Sequence, residues 1–414
     1  MEGRVKGKSI CGRVVVLGVV LVWLFLATIC EARIIIVNDD GPADFDNIQA
    51  AIDDANDGDF VVVLPGTYTG AGNRDIDFGG RVITVCSADP EDPCVVSATV
   101  IDCQNANGHR GFYFHSGEGP NSVVSGFTIT GGYVSGGLGP VFSGGGGIYV
   151  EGASPTIENC HIIGNEVMGV FDLGYAAGGG IFCGSNSNPV VRNCFIADNV
   201  VESYTTPVAE GADARGGGLY CDASSSATCV NCVIHSNYVR GGDGIDNMGY
   251  ATEGGDGTGG GVYGADGSQI VLKNCLLYNN SVQGGWGGYT WPSAGPDGDA
   301  RGGAIYGANS ITNTTIMGNS VSAGGSEQGH GVFSSNSSLI TDSILWANSG
   351  DDVYGTGVTV TYSCTEEIIA GSGNIHSDPC FVSGPLGDYY LSQVAAGQEI
   401  QSPCVDAGSD LAAN

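Results

Sequence analysis

Short apolar–polar alternations recur along this chain, three or four residues at a time. Ile148-Tyr149-Val150, Thr156-Ile157-Glu158 and His161-Ile162-Ile163 are successive examples. A period of two marks strands, and runs this short exclude amphipathic helices. The runs fall in a repeating block. Gly144-Gly-Gly-Gly-Ile148 opens one unit, which passes through Asn159-Cys160 and closes at Asn165. Further copies run from Gly178 through Asn193-Cys194 to Asn199, from Gly216 through Asn231-Cys232 to Asn237, and from Gly259 through Asn274-Cys275 to Asn280. A fifth runs from Gly302 through Asn313-Thr314 to Asn319, and a weaker sixth from Gly331 to Asn348; Gly111 to Ile129 reads as an earlier turn.

One such unit cannot bury its apolar face alone, so neighbours must stack. Three-strand coils stacked in this way form a parallel β-helix. The glycines suit corners that need positive φ. Asn159, Asn193, Asn231, Asn274 and Asn313 occupy equivalent bends. Asparagine tolerates the left-handed conformation, and its amide can bond its counterpart one coil away. These five are expected to form a ladder that sets register.

Length variation is confined to one place per coil. From the motif aliphatic to the closing Asn, four units span 17 or 18 steps; the steps back to the next aliphatic are 16, 20, 25, 25 and 13. The inserts at Met168–Gly178, Val201–Gly216, Val239–Gly259 and Val282–Gly302 are therefore expected side by side on one edge. Loops tolerate insertion and carry function, which makes that edge the default site.

The ends break the pattern. Asp46-Asn-Ile-Gln49 reads as a capping box before Ile48, Ala51, Ile52 and Ala55, predicting a plugging helix over about 46–57, closed by Gly58. Residues 33–80 are read as cap and first coil, 81–350 as repeats, and 351–414 as a second cap that has lost the repeat. Residues 1–32 read as a secretory signal. Arg4, Lys6, Lys8 and Arg13 precede an uncharged apolar run from Val14 to Ile29, then Cys30-Glu31-Ala32. An uncleaved anchor is the competing reading, since the run approaches spanning length. No later run is long enough to span.

Composition sharpens this picture. The 72 glycines and a charged fraction of 14% do not suit a helical or α/β enzyme body, while 42% hydrophobic residues supply a core. The formal net charge is −31. Loss of the leader removes four basic and two acidic residues and makes the chain more acidic still. Nucleic acids and anionic membrane surfaces are excluded as partners, because both select basic patches.

The glycine–aliphatic–asparagine block resembles that of secreted bacterial right-handed parallel β-helix proteins of the pectate-lyase-like superfamily. Gly302-Gly-Ala-Ile305 is also similar to the short repeat of polymorphic outer-membrane proteins, although their Phe-x-x-Asn stands here as Ile-x-x-Asn. Arg110–Asn121 and Ser402–Gly408 are similar to segments of large surface β-helix proteins, which usually continue beyond where this chain stops. The resemblance covers residues 34–410 and implies an all-β, right-handed coil. It implies little about activity.

Catalytic sets are sparse. Arg215 and Arg301 follow Asp213 and Asp299 in Asp-Ala-Arg-Gly-Gly, where a base beside a metal competes with an exposed corner ion pair. Gly329-His330-Gly331 suggests a polygalacturonase-like site, but no Arg or Lys follows Arg301 to meet substrate carboxylates. No catalytic residue is assigned.

Cys160, Cys194, Cys232 and Cys275 form one column, continued by Thr314 and Ser343. Coil spacing of about 4.8 Å permits disulfides, but an inward stack of thiols is preferred. Cys86 and Cys94 flank an acidic Pro-containing loop that a local disulfide would close. Cys229-Val-Asn-Cys232 has no second pair at zinc spacing.

The inserts hold the remaining chemistry. Gly241-Gly-Asp243-Gly-Ile-Asp246 resembles a calcium nonapeptide, and Asp256, Asp297 and Asp299 lie in the neighbouring inserts. Ca²⁺ on this edge is the cofactor expected from those oxygens. Tyr204, Tyr238, Tyr250, Trp286, Tyr289 and Trp291 are interleaved with Asp and Asn. Such rings suit sugars, or else pack the loops onto the coil. The sequence therefore predicts a secreted or cell-surface scaffold that binds polysaccharide or cell-surface glycan along one edge. A polysaccharide lyase or hydrolase and a structural spacer of a larger surface protein are the alternatives.

Overall fold

The computed structural model describes residues 32–136, 143–170, 175–204, 210–247, 250–290, 293–384 and 387–409. The leader reading and Trp291 lie outside them. Among the described residues no helix is long and apolar enough to cross a membrane.

The chain winds as a right-handed parallel β-helix. Three long parallel sheets, of 11, 10 and 8 strands, form its faces. Each strand pairs in register with its counterparts in the adjacent coils, so one inward residue stacks on the next. The first sheet stacks Val61, Val85, Val124, Ile157, Val191, Cys229, Leu272, Ile311, Ile340 and Val360. The second stacks Ile101, Ile129, Ile162, Ile196, Ile234, Leu277, Ile316 and Leu345, and the third runs from Phe112 through Ile148, Ile181, Leu219, Val262 and Ile305 to Val332. All are buried. Each contributes about 1.5–3 kcal/mol as its side chain leaves water.

Two asparagine ladders mark the corners. At the first, Asn159, Asn193, Asn231, Asn274 and Asn313 all have φ between 49° and 56°. Asn193 Nδ2 donates to Asn159 Oδ1 at 3.1 Å, Asn231 to Asn193 at 3.1 Å and Asn274 to Asn231 at 3.2 Å. The second ladder is internal, built from the unit-closing residues Asn165, Asn199, Asn237, Asn280 and Asn319, which are fully buried, and from Asn348. Each side-chain amide donates to the carboxamide oxygen of the next, at 2.9–3.0 Å, and to a main-chain carbonyl of the preceding coil. That same oxygen also takes a backbone N–H, as when Asn237 N bonds Asn280 Oδ1 at 3.1 Å.

The caps depart from expectation in detail. The plugging helix is Ile48–Asp54, shorter than predicted, and its N-cap is Asn47, whose side chain accepts from Ala50 N. Gln49 does not close a capping box; its carboxamide bonds Asp77 N and O in the next coil. A second helix, Pro93–Ala98, with Asp92 as its N-cap, starts where the loop after Cys86 ends and carries Cys94 in its first turn. The 13 cysteines of the described chain are free thiols.

The repeat also runs one coil further than its motif. Val353–Gly355, Val358–Thr361 and Cys364–Thr365 extend the three sheets in turn. The closing hairpin, Phe381–Gly384 with Gly387–Leu391, then folds back so that Tyr389 lies 5.0 Å from Tyr278 on the outer second sheet.

Removing one buried rung, Asn237→Ala, takes the acceptor from the Asn199 backbone N–H and side-chain amide and a donor from the Ile196 carbonyl, and is expected to cost about 2–3 kcal/mol in chemical unfolding. Asn231→Gly, at φ 56° on the outer ladder, should cost less than about 1 kcal/mol. The internal ladder ends on buried Asp352, which accepts from Asn348 Nδ2 at 2.8 Å and from Glu366 N at 2.8 Å. Burial pushes the Asp352 carboxyl up to about 6. A raised acid pKa means stability is greatest when the group is protonated in both states and is lost as pH rises from about 4 through 6. Relative to Asp352→Asn, which adds only a constant offset, the native chain should lose about 2 kcal/mol between pH 4 and pH 7.

Candidate functional site

The inserts do emerge along one edge, but their roots are strands rather than loops. As each coil leaves the second sheet it adds a strand to one six-stranded parallel sheet, and as it returns it adds a strand to another. Glu166–Val170, Val200–Tyr204, Tyr238–Arg240 and Ser281–Gln283 belong to the outgoing sheet; Ala176–Ala177, Ala214–Arg215, Gly257–Thr258 and Ala300–Arg301 to the returning one. The two sheets bury a core of their own between them: Val134, Val167, Ala176, Val201, Ala214, Val239, Val282, Ala300 and Val321. Small residues on the returning strands keep this lobe thin.

Beyond the strands, the two longest inserts pack backbone against backbone. Gly255 N donates to Gly242 O at 2.8 Å, Gly285 N to Gly255 O at 2.9 Å and Gly298 N to Gly285 O at 2.9 Å. A Cβ on Gly255 would stand 2.2 Å from the Ala212 carbonyl oxygen, and one on Gly285 2.0 Å from the Gly242 carbonyl oxygen. Only glycine permits that approach.

The insert acids hold this stack together. Asp213, Asp256 and Asp299 form a column in which each carboxylate accepts the main-chain N–H one coil on: Asp256 N at 2.9 Å, Asp299 N at 2.8 Å and Ser326 N at 2.6 Å. Arg215 pairs with Asp213 at 2.9 Å, and Arg301 joins Asp256 at 3.0 Å to Asp299. Burial, with the charges of Asp213 and Asp299, raises the Asp256 carboxyl above its ordinary range, opposed by the Asp299 N–H and Arg301. Asp243 is gripped by Arg240 at 2.7 Å and accepts Trp286 N at 2.9 Å; Asp246 accepts Tyr289 N, and Asp297 accepts Gly287 N at 2.6 Å. The five acids expected to share a cation are thus spread over separate backbone bonds. Among the described residues no three His, Cys, Asp or Glu side chains converge at metal-binding distance.

The expected rings divide. Trp286 and Tyr289 are 53% and 56% exposed. Tyr204 is exposed with its hydroxyl on Glu202, and Tyr238 is partly buried with its hydroxyl on Gln283. The Tyr250 side chain lies outside the described residues.

Sequence reading missed the larger aromatic feature. The residue after each motif aliphatic points outward from the third sheet and stacks on its counterpart. Tyr149, Phe182, Tyr220, Tyr263, Tyr306, Phe333 and Tyr354 follow at centroid spacings of 4.8–5.9 Å. Arg215 lies over Tyr175 and Tyr263, and Arg301 over Phe333. The signal was present as the aromatic directly after the aliphatic of each glycine motif. His330 is likewise a packing residue, with Nδ1 accepting Val321 N and burial lowering its pKa.

Coiled parallel sheets with glycine corners and stacked asparagines define a right-handed parallel β-helix protein. The chain belongs to the right handed beta helix region family, whose profile matches residues 85–372. No curated protein is significantly similar to it. Among solved structures, pectate lyase Pel9A is similar at 18% identity, over 83% of this chain and 77% of that one, with a TM-score of 0.44. ORF18 of Geobacillus virus E2 is similar at 12% identity, over 80% and 56%, with a TM-score of 0.32. An alginate lyase from Paenibacillus sp. str. FPU-7 is similar at 15% identity, over 82% and 95%, with a TM-score of 0.29.

Gly255→Ala tests whether the lobe depends on glycine contact. Hydrogen exchange should accelerate by tenfold or more across 241–257 and 284–300, while amides of the three long sheets keep their protection.

Proposed function

We propose that the protein is a secreted or cell-surface β-helix scaffold that binds carbohydrate through its lobe. The observation that carries this reading is the pair Trp286 and Tyr289. Both rings are more than half exposed on one glycine-packed insert, and the main-chain N–H of each is tied to an aspartate of the preceding insert. Large exposed aromatics on a soluble surface mark contact sites when the backbone beneath them is held in place. Their flat faces suit the apolar faces of sugar rings, and the neighbouring backbone and carboxylate groups suit hydroxyls. Holding the rings in advance lowers the ordering cost of binding.

The acidic balance of the chain, with a formal net charge of −31, favours neutral glycans over highly charged ones at this rim. A lyase or hydrolase is less well supported. Arg215 and Arg301, the cations best placed to meet a substrate, are held by carboxylates and lie over aromatic rings.

A glycan array should give binding to neutral polysaccharide fragments that falls tenfold or more in Trp286→Ala and in Tyr289→Ala, with melting temperature unchanged. No binding by the native chain, or identical binding by both variants, removes this reading.

A further inference from the structure

The second observation lies on the third sheet, at the N-terminal end of the aromatic ladder, and does not depend on the lobe. Arg33, Arg192, Arg215, Arg240 and Arg301 each meet a carboxylate. Arg110 does not. Its guanidinium lies 4.8 Å from the centroid of Tyr149 and 5.4 Å from that of Tyr113. It has no hydrogen-bond acceptor among the described residues.

The nearby carboxylate is engaged elsewhere. Asp75 Oδ1 accepts the backbone N–H of Arg110 itself at 3.0 Å, and Asp75 Oδ2 faces His109 Nδ1. The next acid along, Asp77, faces His115 Nε2 at 3.3 Å. Burial lowers the Arg110 pKa, and the Asp75 charge opposes that shift. Aromatic faces attract a guanidinium, at about 0.5–2 kcal/mol, but accept none of its five N–H donors. A partly buried fork with idle donors is an incomplete arrangement, because charged donors removed from water need acceptors.

We propose that Arg110 is the anchor of a second ligand site, which takes an oxyanion, a carboxylate or a sulfate, carried on a saccharide. The guanidinium presents a planar bidentate fork to that group. Tyr113 and His115, whose rings pack at 4.2 Å between centroids with a 33° tilt, supply ring surface beside it for the sugar.

The test uses the full chain with four probes: cellotriose, its carboxylated counterpart (a cellouronic acid trimer), cellotriose sulfate and inorganic sulfate. Calorimetric titration should give the carboxylated or sulfated trimer at least tenfold tighter binding than cellotriose. Arg110→Lys, which keeps the charge and loses the fork, should reduce that preference about tenfold, and Arg110→Met should abolish it. Trp286→Ala should weaken cellotriose binding at the lobe and leave the affinity for the charged trimers at Arg110 unchanged, which separates this site from the lobe. Equal affinity for neutral and charged trimers overturns the proposal, as does an undiminished preference in Arg110→Lys. Binding of inorganic sulfate without either charged trimer also overturns it, because the anion would then not be saccharide-borne. If Arg110→Met fails to fold, Arg110→Lys decides the outcome.

Discussion

Every coil of this protein gives its backbone hydrogen bonds to the coils on either side. That axial pairing sets one repeat distance of about 4.8 Å for everything attached to the chain. Whatever occupies a column must be content beside a copy of itself at that spacing. Aliphatic side chains are, and they fill the interior. Carboxamides are, because each is both donor and acceptor, and they form two ladders. Aromatic rings stack outside the third sheet for the same reason. At the corner where the chain leaves the lobe, main chain meets main chain so closely that a Cβ on Gly146, Gly179 or Gly217 would stand 2.4–2.6 Å from a carbonyl oxygen of the next coil.

The same constraint organises the lobe. Two neighbouring inserts have equal length, so residues 43 apart fall at the same height. A column of like charges at that spacing is unfavourable in itself. It is sustained because each aspartate accepts a main-chain N–H and because Arg215 and Arg301 lie against the column. The acidity of the insert sequences is thus largely structural. What remains for a ligand is the surface those bonds support, chiefly the exposed rings of Trp286 and Tyr289.

The chain uses its few cations sparingly. Among the described residues, Arg33, Arg192, Arg215, Arg240 and Arg301 are held by carboxylates. Arg110 differs because the aspartate beside it is turned towards His109 and towards the main chain. Two separate surfaces therefore present groups that the rest of the described chain does not engage, the exposed rings of the lobe and the Arg110 guanidinium beside the third sheet. They lie on different parts of the molecule, the lobe and the third sheet.

The repeat was readable from the residues alone because its causes are local. Left-handed corners admit Gly and Asn, strands of three or four residues show a period of two, and insertions are tolerated only where the coil opens. Those facts placed the coils, the outer asparagine bends and the edge that carries the inserts. Other features required the three-dimensional winding. Nothing in the composition of the inserts told that their roots pair into two further sheets, or that Asp243, Asp256 and Asp299 bond separate N–H groups instead of gathering round a cation. The last coil, Val353–Thr365, has no glycine motif and is recruited by the exposed edges of the coil before it. The shift of the helix cap from Asp46 to Asn47 follows from the demand of Asp77 on Gln49. In each case the partner is tens of residues away, and only the closing of the coil decides which groups meet.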